Sequence, residues 1–214
     1  MTNMIGKKLT SKYSLEYLSL HYLNLWLKHD KPYYEAITLG SQSEKLKAIN
    51  KALAFYKVAR NLPTKYDIEK NHERYEPILK IIDAVDSSDF SNDVVWSIEK
   101  VQKKISRAYG DRGVLSITTK LLWLKVRDPI IIYDSQARKA LGTEDGNLSA
   151  FYNEWRNQYE LHRKEILSAC AKLSNVAKYS CDMKISTPKY IDEISSSNWF
   201  QERVFDVYLW HKGL

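Results

Sequence analysis

Lys120 lies in Ser116-Ile117-Thr118-Thr119-Lys120-Leu121-Leu122-Trp123-Leu124, an otherwise uncharged and largely apolar run. An amine is a nucleophile only when unprotonated, and removal from water favours the neutral form. The same lysine could instead extend its ammonium to the surface along the helix. Asp134 follows a short apolar stretch, Ile130-Ile131-Ile132-Tyr133, and precedes Ser135-Gln136-Ala137. A carboxylate there could cap a helix, and a capping carboxylate is also held ionised and fixed in place, so capping and catalysis are both open. A second candidate pair is Asp206 and Trp210, four residues apart on a C-terminal helical pattern with Trp199 and Arg203 at the same edge. A carboxylate beside an indole can accept hydrogen bonds from a base edge while the ring stacks on its face. The other reading is a core tryptophan and an aspartate paired with a basic neighbour.

The elements that position these residues read as helices. Leu115, Leu121, Leu122, Trp123, Leu124 and Val126 point in nearly every direction around a helix of about 115–126, which marks it as buried. Asp128-Pro129 stops it. From Lys120 to Arg127 such a helix rises roughly 10 Å. The extended run 130–133 covers roughly 13 Å, so a reversal at 127–129 is expected to bring Asp134 level with Lys120. Upstream, Val94, Ile98, Val101, Ile105 and Ala108 form one apolar stripe over about 91–108, with Lys100, Lys103, Lys104 and Arg107 on other faces. Leu46, Ile49, Leu53 and Tyr56 stripe a helix near 43–60, and Ile78, Leu79, Ile82 and Val85 mark another that could start at Pro77. Leu148, Tyr152, Trp155 and Tyr159 begin a long helix, residues 13–28 read as a further one, and Ser87–Asp89 and Ser195–Ser197 read as loops ahead of helices. The only strand-like stretch, 130–133, is too short to found a sheet. The expectation is an all-α, compact two-lobed helical bundle. It would be a single helical domain, 1–214, with one lobe at about 1–88 plus the C-terminal helix and the other at about 89–197.

The 214 residues carry a formal net charge of +7, with fifteen tyrosines and six tryptophans. This composition excludes disorder and a many-turned β-sandwich, and it favours a polyanion partner whose bases flat rings could stack on. Cys170 and Cys181 have neither metal-ligand spacing nor the density of a secreted scaffold, so they read as reduced thiols. His21, His29, His72, His162 and His211 show no metal spacing, and no phosphate-binding glycine motif or Cys-His protease pattern occurs. Arg60-Asn61 reads as an exposed helix end that could touch a phosphate. No apolar run is long enough to span a bilayer, and the first eight residues lack a signal-peptide core. A cytoplasmic protein, nucleoid-associated in a prokaryote, is expected.

A lysine in the middle of an apolar helix, followed by Pro129-Ile130-Ile131-Ile132-Tyr133-Asp134-Ser135 opening another helix, resembles the helix-hairpin-helix DNA glycosylase superfamily. The likeness is nearest to archaeal-type 8-oxoguanine DNA glycosylases and bacterial proteins of that fold. It covers 110–141, and again 198–213, where Asp206 and Trp210 resemble the pair that holds the flipped base. The resemblance implies Lys120 as the nucleophile at C1′ and Asp134 as the carboxylate that stabilises developing charge and assists proton transfer. Base recognition would fall to Asp206, Trp210 and Trp199, and DNA-backbone contact to Lys104, Arg107, Gly110, Arg112, Gly113 and Arg138. Where that family's hairpin reads Leu-Pro-Gly-Val-Gly, this chain has Gly110-Asp111-Arg112-Gly113-Val114. The implied partner is duplex DNA containing a modified base, with no cofactor, no metal, no membrane and no obligate protein partner. The alternatives are a non-catalytic DNA-binding module of the same fold and a defence-associated helical interaction protein.

Overall fold

The computed structural model describes residues 8–62 and 71–214, the side chains of Asn61 and of residues 71–73 apart. Among the described residues every regular element is helical: α1 (Leu15–Leu25), a π-helical turn (Trp26–Asp30), α2 (Lys31–Leu39), α3 (Gln42–Phe55), α4 (Asn71–Asp83), α5 (Val94–Ala108), α6 (Leu115–Lys125), α7 (Ser135–Leu141), α8 (Leu148–Ala171), α9 (Pro188–Ser195) and α10 (Asn198–Lys212). The chain divides into two compact units, one of Met1–Trp26 with Tyr133–Leu214 and one of Leu27–Ile132. The expected lobe division near 86–92 falls inside the second unit. There Asp86 caps the 3-10 turn Ser87–Phe90, Phe90 is buried, and Ser97 Oγ donates to the Asp89 carbonyl at 2.6 Å. These bonds fasten the α4–α5 connection to α5.

In the unit of Leu27–Ile132, α2 packs on α3 and α6, α3 on α4, and α4 on α5 and α6. Ile37, Ile49, Ile78, Ile82, Ile98, Ile105, Leu121 and Trp123 fill its core. Of the predicted α5 stripe, Ile98, Val101 and Ile105 are buried, Val94 at the start is half-buried and Ala108 at the end is exposed. Two boundaries differ from the pattern. Helix α3 ends at Phe55 rather than near residue 60, because Lys57 adopts φ +56° and the chain turns back with Val58 N donating to the Leu53 carbonyl at 3.0 Å. Pro77 lies inside α4 instead of opening it. Tertiary anchoring sustains the turns before it: Tyr75 is buried, and Arg74 donates to the carbonyls of Ala59 and Leu62 at 2.9 and 3.2 Å.

In the other unit, α10 packs against α1, α7, α8 and α9. Contact on so many sides buries every residue from Phe200 to Leu209. The sequence spacing sets Asp206 and Arg203 at one edge of this helix, but the helix is buried all round over these residues. The charged Glu202, Arg203 and Asp206 go inside with the apolar residues. No helix among the described residues is long and apolar enough to cross a membrane.

Candidate active site and nucleic-acid surface

Helix α6 buries every residue from Leu115 to Leu124 except Ser116, which is half-buried. Lys120 is 2% exposed. Its ammonium donates to Ser116 Oγ one turn earlier at 2.7 Å and stands 5.7 Å from the centre of the Tyr56 ring. Tyr56 in turn donates its hydroxyl to Asp30 Oδ1 at 2.7 Å. Asp30 is 1% exposed and ends the π-helical turn, and its side chain does not cap α2. The Tyr33 phenol is pushed above its ordinary range by burial and by the charge of Asp30. An amine, a hydroxyl and a phenol–carboxylate pair thus share one dry corner, the groups that nucleophilic attack with proton transfer needs.

Asp30 and Tyr56 were not legible as partners of Lys120, because Asp30 before Lys31-Pro32 has the look of a helix cap. Rings extend the corner outward: Phe55 lies 5.2 Å from Tyr56 and stacks on His29 at 4.2 Å, and Tyr33 lies 6.2 Å from Phe55. Burial first, then the charge of Lys28, depresses the His29 pKa, so its ring is neutral at pH 7. The turn after α6 is a sharp one: Arg127 has φ +66°, and Ile130 N donates to the Arg127 carbonyl at 2.7 Å. Arg127 also stacks its guanidinium 4.0 Å from the Tyr34 ring centre and donates to the Tyr34 hydroxyl at 2.9 Å.

Asp134 belongs to the other unit and caps α7, with Oδ1 accepting from Gln136 N at 2.9 Å. Helix α7 lies against the end of α10 so tightly that a Cβ on Gly213 would come 1.9 Å from the Gln136 carbonyl oxygen. The Asp134 charge is felt by Asp206, whose own proton it helps to retain. Arg138 donates to the Thr143 carbonyl at 2.8 Å and lies 3.4 Å from Asp145, so it closes the loop after α7.

Asp206 meets an indole, but Trp155 of α8 supplies it. Trp155 Nε1 donates to Oδ1 at 2.7 Å, and Arg203 donates to Oδ2 at 3.1 Å. Burial outweighs these donors and raises the carboxyl pKa to about 6. Trp199 packs its ring 4.5 Å from Trp26 and 5.7 Å from Phe200. Trp210 is 41% exposed and sets its ring at right angles to His211. Of the three residues expected to hold a base, one is bonded inside the unit, one is packed on aromatic neighbours, and one stands at the surface.

Lys104, Arg107, Gly110, Arg112 and Gly113 are all exposed, at the end of α5 and in the turn before α6. Gly110 and Asp111 adopt φ +73° and +55°, Asp111 N donates to the Ser106 carbonyl at 2.9 Å, and Ser106 Oγ donates to the Arg112 carbonyl at 2.8 Å. This ties a helix–turn–helix corner bearing cations, a shape that fits a phosphate backbone. Lys100 lies 5.0 Å from the centre of the exposed Trp96 ring, Lys103 is exposed beside it, and Arg60 is exposed in the short turn after α3. The Asn61 side chain lies outside the described residues.

The histidines divide by role. His162 is buried, its two ring nitrogens 2.7 Å from the Gln158 carbonyl and 3.0 Å from the Leu9 carbonyl, and the His72 side chain lies outside the described residues. Cys170 is buried with its thiol pushed up to about 12 by desolvation, whereas Cys181 is exposed. Among the described residues no three His, Cys, Asp or Glu side chains are grouped to hold a metal ion. Compared with models of known protein families, with curated protein sequences and with solved structures, the chain matches none.

Proposed function

We propose that the chain is a DNA base-excision enzyme of the helix-hairpin-helix kind, acting on 8-oxoguanine or another modified base through Lys120. The observation that carries the reading is a lysine 2% exposed in the middle of a buried helix, with a hydroxyl and a phenol–carboxylate pair around it. In the proposed reaction the Lys120 amine forms a bond to C1′ while the C1′–N bond breaks, and the electron pair leaves with the base, which takes up a proton. Opening of the sugar ring gives a Schiff base, from which loss of the C2′ proton expels the 3′ phosphate and cuts the strand. The cationic corner at Lys104, Arg107 and Arg112 is assigned to the duplex backbone, with Gly110 at φ +73° permitting its turn and Gly113 exposed beside Arg112.

Borohydride trapping on duplexes carrying a panel of modified bases tests this. The expected result is a covalent protein–DNA adduct, lost in Lys120→Gln and mapped by mass spectrometry to residue 120. Absence of both adduct and base release across the panel overturns the enzyme reading. A second reading rests on Asp206, both of whose oxygens are already bonded within the unit: a module that binds duplex DNA without chemistry. It predicts salt-dependent duplex binding that Lys120→Gln leaves unchanged.

A further inference from the structure

The unit that holds Asp134 also holds a surface cluster of rings that the excision reading does not use. Tyr13, Tyr17 and His21 follow one another at steps of four along the start and outer edge of α1, Tyr17 exposed and the other two half-buried, while Leu15, Leu18, Tyr22 and Leu23 face the core. The Tyr13 and Tyr17 rings stack at 5.3 Å and 25°, and Tyr17 and His21 lie parallel at 6.1 Å and 6°. From the end of α10, His211 closes the row edge-on, 4.9 Å from Tyr13 and 5.7 Å from His21. Tyr17 is 53% exposed and Trp210, edge-on to His211 at 5.0 Å, is 41% exposed.

The row is fixed before any ligand arrives. Ser14 caps α1 by accepting from Tyr17 N at 3.2 Å, and the Leu9 carbonyl accepts from the Tyr208 hydroxyl at 2.8 Å and pairs with the His162 ring at 3.0 Å. Burial depresses the pKa of both His21 and His211, so both rings are neutral at pH 7. Neither ring nitrogen of His211 has a hydrogen-bond partner. An imidazole placed without a polar partner contributes its faces and edges rather than its nitrogens.

We propose that this row is a stacking platform for the unpaired bases of a single-stranded nucleic acid. Every base offers a π-face, and a preset ring row presents its exposed members, Tyr17 and Trp210, to bases at little ordering cost. The charge nearby selects this occupant over a cationic one. Lys12 holds its ammonium 4.9 Å from the Tyr13 ring centre, and Lys212, next to His211, is exposed. Those cations would repel a methylated ammonium ligand but suit a phosphate chain. The neighbouring acids are neutralised locally, Glu16 by Lys172 and Glu165 by Lys8. The platform goes beyond the excision reading and does not depend on Lys120.

The test uses the full chain and three short, end-labelled oligomers of equal length: oligothymidylate, oligouridylate, and an abasic deoxyribose-phosphate chain. The expected result is tighter binding of the base-bearing oligomers than of the abasic one. Tyr17→Ala and His21→Ala should each weaken binding of the base-bearing oligomers roughly ten-fold, with the abasic oligomer unaffected and Tyr17→Phe like the wild type. Because Tyr17 stands largely in solvent, Tyr17→Ala should keep the wild-type circular dichroism and Tm. Equal binding of the abasic oligomer, or alanine variants indistinguishable from the wild type, overturns the platform. Lys120→Gln should bind these oligomers as the wild type does, so failure of the excision chemistry and failure of the platform are separate results.

Discussion

Helix α6 carries one acidic or basic side chain into its buried middle, Lys120, whereas α10 carries three, Glu202, Arg203 and Asp206. In α10 charge meets charge. Arg203 bonds Asp206, and Glu202 pairs with Arg156 of α8, the helix whose Trp155 also reaches Asp206. In α6 the ammonium meets a hydroxyl and the face of a phenol whose own hydroxyl holds a carboxylate. The Trp155–Asp206 and Arg156–Glu202 bonds work as a register device between helices, because they form only when α8 and α10 are correctly seated. The α6 arrangement supplies groups that exchange protons, which is why the chemistry is assigned there.

The contrast breaks most visibly by removing one member from each helix. Arg203→Met strips Asp206 of its cation and should destabilise the protein by about 3–5 kcal/mol, read by urea unfolding. Lys120→Met keeps a similar shape and removes the cost of burying an amine. Its stability should stay within about 1 kcal/mol of the wild type, or rise, as is common where a functional group is replaced. Equal large losses in the two variants would show that Lys120 is as structural as Arg203.

Next in size is a pH effect confined to α10. The Asp206 carboxyl holds its proton up to about 6 in the folded chain, against an ordinary value of 3.8. Between those values the folded state binds more protons than the unfolded one, so this group's contribution falls as pH rises. The loss across the window should be about 3 kcal/mol, complete above pH 6. Other carboxylates give their own trends, so the measurement is the difference between the wild type and Asp206→Asn in urea unfolding at several pH values. The variant should gain on the wild type as pH rises from 4 to 6, and a flat difference would mean that Arg203 and Trp155 compensate the burial of the charge.

How far each helix could be read in advance follows from where its partners lie. The middle of the α5 stripe, Ile98, Val101 and Ile105, is a local pattern and was legible, though its ends at Val94 and Ala108 are half-buried and exposed, and the all-round apolar character of α6 that buries Lys120 was legible too. The Asp134 cap was legible because the capped amide is two residues on. Helix α10 looked amphipathic because its charges are visible in the sequence, while the Trp155 and Arg156 that neutralise them sit on another helix. For the same reason the Tyr56–Asp30 pair beside Lys120 left no local mark, and Asp206 was matched to Trp210, its neighbour along the helix, instead of to Trp155 across the core. The ring row escaped notice because Tyr13, Tyr17 and His21 need His211, from the far end of the chain, to close it.

The smaller effects sharpen the α6 side. Tyr56→Phe keeps the ring under Lys120 but removes the hydroxyl bonded to the buried Asp30, and should cost about 1–2 kcal/mol in urea unfolding. Ser116→Ala removes the acceptor at 2.7 Å from the ammonium, a loss of about 1 kcal/mol partly offset by alanine's better helix propensity. Its net effect on stability should therefore be the least of the set, below about 1 kcal/mol. On the excision reading the trapping rate should nevertheless fall several-fold, because Ser116 orients the amine one turn below it. A stability change that exceeded the Tyr56→Phe loss, with trapping untouched, would reverse the assignment: Ser116 and Lys120 would then form a structural pair like Arg203 and Asp206, and the difference between the two helices would be one of composition only.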